Sequence, residues 1–118
     1  MLEREISKQI ENFFASGQNA ALMITGARQV GKTYCIRSFA KTHFKNFLEI
    51  NFLEMPQAVQ LFKNASNSQD ILLRISALSN VPMEKGNTLI FFDEVQECKE
   101  IATAIKFLVG EGSYQYIL

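Results

Sequence analysis

Apolar positions change their period several times along the chain, and each change marks an element. Leu2, Ile6, Ile10 and Phe13 recur at helical spacing with Glu3, Arg4, Lys8 and Glu11 between them. That stripe predicts a leading amphipathic helix over residues 1–17, laid against a sheet. Ser16-Gly17-Gln18-Asn19 ends it. The next run, Ala20-Ala21-Leu22-Met23-Ile24-Thr25, reads as a short buried strand. From Tyr34 to His43 the helical spacing returns as Cys35, Ile36, Phe39 and Ala40. Phe47-Leu48-Glu49-Ile50-Asn51-Phe52 has the β-branched and aromatic character of a second strand. Pro56 suits the first turn of a helix over Gln57 to Asn64. Asn64 to Gln69 is polar and reads as a loop, and Asp70 to Leu78 as a further helix with Ile71, Leu72, Ile75 and Leu78 on one face.

A turn-rich stretch, Val81 to Asn87, delivers the chain to Thr88-Leu89-Ile90-Phe91-Phe92, the most apolar run present. Asp93-Glu94 follows it directly. From Glu97 the pattern is helical again, with Ile101, Ala104, Ile105 and Leu108 on one side. Gly110, Gly112 and Ser113 close that helix, and Tyr114 to Leu118 begins a fourth strand. Strands alternating with helices predict an α/β fold, a mainly parallel sheet with both faces covered. No internal repeat or linker interrupts it, so residues 1–118 read as one domain.

Composition narrows the function classes. Of 118 residues, 47% are hydrophobic and 20% charged, ordinary for a globular chain that buries a core. Twelve basic residues balance twelve acidic ones, so no global field draws the chain to nucleic acid or to an anionic membrane. The ten phenylalanines fall mostly at core-facing positions without basic residues interleaved, which does not suggest single-strand binding. Cys35 and Cys98 lie far apart and in no metal-ligand spacing, which fits a reducing, cytoplasmic setting. The charged start Met1-Leu2-Glu3-Arg4-Glu5 lacks an apolar signal core, and no apolar run approaches membrane-spanning length.

The chemistry concentrates in two places. Gly26-Ala27-Arg28-Gln29-Val30-Gly31-Lys32-Thr33 fits G-x-x-x-x-G-K-[ST], the phosphate-binding loop, and stands between an expected strand and an expected helix as that motif requires. A helix N-terminus offers unpaired N–H groups and the positive end of a dipole to phosphates. Glycine lets successive amides curl inward, Lys32 reaches the β and γ phosphates as a mobile point charge, and the Thr33 hydroxyl suits Mg²⁺. The Tyr34 amide is a candidate for the α phosphate, while its ring has packing as a simpler role. Arg28 reads as a solvated loop residue or a nucleotide contact.

The second place is Asp93-Glu94, at the carboxyl end of the most apolar strand. Asp93 is the candidate to hold Mg²⁺ opposite Thr33, and Glu94 to orient or deprotonate the water attacking the γ phosphate. Ligands of parallel α/β sheets bind outside the strand carboxyl ends, so both motifs are expected to face one crevice. Near the C-terminal end of the helix that follows the phosphate loop, Lys41, His43 and Lys45 complement the dipole, and His43 reads as a cap rather than a ligand.

The loop, together with Leu89-Ile90-Phe91-Phe92-Asp93-Glu94-Val95-Gln96-Glu97, resembles a family of prokaryotic AAA+-like ATPases that carry G-x-R-Q-x-G-K-T and D-E-[IV]-Q. The resemblance covers nearly all of the chain. It implies a three-layer P-loop NTPase core with an additional strand inserted between the phosphate-loop strand and the acidic strand. It also implies Mg²⁺-ATP as ligand, Lys32 and Thr33 as phosphate and metal contacts, Asp93 as metal partner and Glu94 as catalytic base. Family members are longer, with a sensor residue, a fifth strand and C-terminal domains, one of them similar to a nuclease-like fold. This chain is therefore expected to be a core truncated at its C-terminus.

The leading expectation is an ATPase core, with the phosphate loop from Gly26 to Thr33 plus Tyr34 binding nucleotide. One rival is a nucleotide-gated interaction module without appreciable turnover; another is a small-molecule kinase. Expected partners are a nucleotide, a protein partner or a C-terminal domain, with homo-oligomerisation open and no membrane.

Overall fold

The computed structural model describes residues 2–17, 20–24 and 30–118. Its frame is a parallel sheet in which the chain's acidic strand stands in the middle. The elements in chain order are α1 (Leu2–Ser16), α2 (Val30–His43), β1 (Asn46–Asn51), α3 (Pro56–Leu61), α4 (Ser68–Leu78), β2 (Thr88–Asp93), a short 3₁₀ turn (Val95–Glu97), α5 (Lys99–Glu111) and β3 (Gln115–Ile117). β2 pairs in parallel with β1 on one side and β3 on the other. On the far side of β3, Leu22 forms a parallel bridge to Ile117. Leu22 N donates to Tyr116 O at 3.0 Å and Leu118 N to Leu22 O at 2.8 Å. β3 thus lies between the segment 20–24 and the acidic strand, the insertion that the family resemblance implied.

Side-chain alternation along β2 divides the core into two layers. Leu89 and Phe91 point into a cluster with Ile6 and Ile10 of α1, Ile36 and Phe39 of α2, and Leu22. Ile90 and Phe92 point the other way, onto Phe62, Ile71 and Ile75, Ile101 and Leu108, and Tyr116. A strand with both faces covered has no solvent side, which is why it reads as a continuous apolar run rather than an alternating one. The fold is α/β with three layers: α1 and α2, the sheet, then α3 to α5. This is a P-loop NTPase-like core.

Several expected boundaries move, each for a local reason. The expected first strand is a single bridge at Leu22, because its neighbour β3 is itself only three residues long; Thr25 lies outside the described residues. α2 starts at Val30 instead of Tyr34. Its first turn holds Gly31, Lys32 and Thr33, whose side chains serve no apolar stripe, so periodicity cannot see them. α3 stops at Leu61, after which Asn64 adopts a positive φ of 61°. α4 begins at Ser68, inside the expected loop, because Asn67 Oδ1 accepts from Asp70 N at 2.9 Å and caps it. Gly110 lies within α5, and Gly112, at φ 86°, is the left-handed cap that ends it.

Candidate functional site

Two chain segments meet at the carboxyl ends of the strands, the place where open α/β sheets bind ligands. One is the first turn of α2, with Gly31, Lys32 and Thr33; the other is the end of β2, Asp93, and the residue after it, Glu94. Lys32 Nζ lies 3.8 Å from Asp93 Oδ1, and the two side chains are only 20% and 14% exposed. Partial burial limits screening by solvent and salt, so this pair couples the two segments electrostatically. The Lys32 ammonium also sits 5.9 Å from the centre of the Phe91 ring, a cation–π distance.

Asp93 is held from two further directions. Glu94 N donates to its Oδ1 at 3.0 Å, and Asn51 Nδ2 donates to its Oδ2 at 3.3 Å. Asn51 closes β1 as Asp93 closes β2, and the two are direct partners in the parallel register. The other end of the Asn51 amide is anchored, with Oδ1 accepting from Leu53 N at 2.9 Å and Glu54 N at 3.0 Å. This turn aims Nδ2 at the carboxylate. Sequence reasoning missed Asn51. Its signal, a polar residue ending an apolar strand, acquires meaning only once β1 and β2 are known to be neighbours.

Glu94 has φ 55° and ψ 46°, the left-handed region. An L-residue without glycine's freedom pays about 1–2 kcal/mol to sit there, and such strain collects at functional sites. Glu94 O accepts from Glu97 N at 3.0 Å, and Val95 O from Cys98 N at 3.0 Å, forming the 3₁₀ turn. Across that turn Gln96 Nε2 donates to Glu94 Oε1 at 2.7 Å.

The sequence-expected residues are thus distributed as follows. Lys32 and Asp93 are brought together, with Thr33 beside Lys32 on the helix and Glu94 beside Asp93 on the strand end. Gly26, Ala27, Arg28 and Gln29 lie outside the described residues. Val30 opens α2 and Gly31 is buried. The Tyr34 ring is 68% exposed, so core packing is not its role; it lines a groove between α1 and α2 with Arg4, Ser7 and Glu11. His43 is the helix-end cap that its position suggested: its ring stacks on Phe39 at 4.0 Å, and Nδ1 lies 3.0 Å from Phe39 O. Behind the site Arg37 forms a two-pronged ion pair with Glu49 on β1, at 2.7 and 2.8 Å, which ties α2 to the sheet.

The donor chemistry suits a small hard cation beside phosphates. The Thr33 hydroxyl and the Asp93 carboxylate offer oxygen donors of the kind such a cation prefers, and the Lys32 ammonium offers positive charge to an anion. Among the described residues no group of three or more His, Cys, Asp and Glu side chains gathers into a metal cage. Mg²⁺ ordinarily takes one or two protein oxygens plus substrate phosphates and water, so the sparse donor set fits it. Cys98 is buried, and burial pushes its thiol pKa up, which suits a packed side chain rather than a ligand. No helix among the described residues is long and apolar enough to cross a membrane.

The sequence pattern of the AAA domain family matches residues 18–118. Among curated proteins and among solved structures, nothing matches the chain.

Proposed function

The chain belongs to the AAA domain family, and on that premise we propose that it binds Mg²⁺-ATP between the start of α2 and the end of β2 and hydrolyses the β–γ phosphoanhydride. A nucleotide-binding, ATPase-like role comes with the family; the ligand, the reaction and the residue roles are our reading of the site. The observation that carries it is the 3.8 Å approach of Lys32 to Asp93 at the strand ends. A phosphate-seeking cation and a metal-seeking carboxylate share one crevice, each positioned by a different element.

Main-chain amides of the loop, from Gly26, Ala27, Arg28 and Gln29 through Val30 and Gly31, and the amide of Tyr34, cradle the phosphates with the α2 dipole behind them. Lys32 exchanges its contact with Asp93 for the β and γ oxygens. The Thr33 hydroxyl and the Asp93 carboxylate would hold Mg²⁺, which when bound would supply positive charge against the phosphate oxygens. Asn51 keeps Asp93 turned toward the crevice. Glu94 accepts a hydrogen bond from the attacking water and takes its proton as the water oxygen bonds to the γ phosphorus. The P–O bond to the β-phosphate bridge breaks, leaving ADP and inorganic phosphate. Catalysis is positioning plus electrostatic stabilisation.

Titration with labelled ATP and Mg²⁺, with phosphate release followed in the same samples, tests this. Lys32→Ala should weaken binding by about 10- to 100-fold, the scale of a lost charge-assisted hydrogen bond. Glu94→Gln should keep binding within about twofold and lose turnover by roughly 10²- to 10⁴-fold. Equal phosphate release by Glu94→Gln and the unaltered chain would remove Glu94 from the chemistry. Tight binding with no release by the unaltered chain would instead favour a nucleotide-gated interaction module.

A further inference from the structure

We propose that Lys32 is the resident counter-ion of Asp93 in the nucleotide-free protein, so that a divalent cation does not settle on that carboxylate until phosphates have drawn the ammonium away. The inference deepens the reading of this crevice as a Mg²⁺-nucleotide site, and rests on it, by assigning the order in which the two ligands enter. Its ground is where the ammonium is held. Phe91 and Asp93 stand two apart on β2 and so face the same layer, the one that contains α2. Lys32 Nζ spans both, 5.9 Å from the centre of the Phe91 ring and 3.8 Å from Asp93 Oδ1. Ring and carboxylate each attract a cation. With the two charged side chains 20% and 14% exposed, solvent and salt screen little of that attraction.

Asp93 is engaged at both oxygens. Oδ1 accepts from Glu94 N at 3.0 Å besides facing Lys32, and Oδ2 accepts from Asn51 Nδ2 at 3.3 Å. A metal arriving alone must displace the ammonium and leave it unpaired in a partly buried place, which opposes the attraction of a single carboxylate. It finds little else to hold it. The Thr33 hydroxyl is neutral, and the described residues gather no group of three or more His, Cys, Asp and Glu side chains. Mg²⁺ also gives up its water reluctantly. A nucleotide changes each of these conditions. Its phosphates carry several negative charges, so Lys32 passes from one anion to another without an unpaired interval. The same phosphates add the oxygen donors that the protein itself does not gather. Asp93, still aimed by Asn51 and by the Glu94 amide, is then relieved of its cation.

The test uses Mn²⁺ alone as the probe, because it takes the same oxygen ligands and broadens nearby resonances. The nucleotide-free full chain is titrated beside Lys32→Met and Lys32→Gln, which remove the charge in an apolar and a polar form, and Lys32→Arg, which keeps it. Free Mn²⁺ and the broadening of amide signals around Asp93 are followed together. Lys32→Met and Lys32→Gln should bind Mn²⁺ roughly 10- to 100-fold more tightly than the unaltered chain. Lys32→Arg should stay within about threefold of it. Adding Asp93→Asn to either uncharged variant should abolish the gain. Equal Mn²⁺ affinity in the uncharged variants and the unaltered chain overturns the inference. A gain that survives Asp93→Asn overturns it as well, because the metal then sits elsewhere. So does a gain in Lys32→Arg equal to that in Lys32→Met, since shape and not charge would then keep the metal out. Failure of the Mg²⁺-nucleotide reading is seen separately, as absence of Mg²⁺-ATP binding by the unaltered chain. That result takes the inference with it even where the Mn²⁺ affinities differ as expected.

Discussion

Glu94 stands at odds with its own backbone, and that makes a prediction about a single side chain. Its left-handed conformation costs about 1–2 kcal/mol in an L-residue, part of which glycine would give back in chain entropy. Glu94→Gly should raise stability by up to about 1 kcal/mol, read as the urea midpoint, while abolishing ATP turnover. A loss of stability would mean that the carboxylate's own contacts outweigh the strain. Nothing in Asp93-Glu94-Val95-Gln96 announces this conformation, since positive φ is ordinarily signalled by glycine or asparagine. Lys32 and Thr33, by contrast, were legible because the loop motif is a matter of spacing along the chain. Asn51 was not legible, since its partner Asp93 is distant in sequence and the register between β1 and β2 is a tertiary fact.

Among the elements, α4 shows how polar side chains define a helix and its dock. Asn67 caps its first turn, and Asp70 reaches back so that Ser66 N donates to Oδ2 at 2.9 Å. Arg74 grips the Asp70 carboxylate through Nε and Nη2, at 3.0 and 3.1 Å. Its Nη1 also donates to Leu61 O at 3.0 Å, at the end of α3, and to Lys63 O at 2.9 Å, just past it. These donors hold the Asp70 carboxyl below its ordinary pKa, the Ser66 backbone N–H first and Arg74 next. A carboxylate depressed on folding contributes stability that is present above its unfolded pKa, near ~4, and is lost as pH falls through the lower folded value. Lowering the pH from about 6 to about 3 should therefore reduce the urea midpoint more in the unaltered chain than in Asp70→Asn. An equal fall in both would show that this cluster adds no acid sensitivity. The helix itself was readable from Ile71, Leu72, Ile75 and Leu78; its two extra residues were hidden in a run that polarity alone marks as loop.

At the scale of the molecule, the site is a joint between layers. α2 belongs to one face of the sheet, β2 runs through the middle, and Lys32 and Asp93 meet where they end. A ligand engaging both should stabilise the whole fold, because it binds the folded chain and not the unfolded one. At about 100 times Kd the gain is roughly 2.7 kcal/mol, which for a chain of this size raises the melting temperature by on the order of 10 °C. Mg²⁺-ATP should produce that shift in the unaltered chain and a much smaller one in Lys32→Ala. Equal shifts in the two would argue that nucleotide binds elsewhere.

Chain-local chemistry was enough to specify the helices, the apolar central strand, the phosphate-loop spacing and the acidic strand end. Each is written in residues within a few positions of one another, where backbone preference and side-chain period act directly. Folding in three dimensions settled the rest. It set β3 between the segment 20–24 and β2, placed Asn51 beside Asp93, and carried Lys32 to within 3.8 Å of that carboxylate. It also imposed the left-handed turn at Glu94 that brings Gln96 round to it. These are long-range or strained arrangements. They are stable only because a strand buried on both faces has one register that fills both layers, and no local pattern encodes which neighbours that register selects.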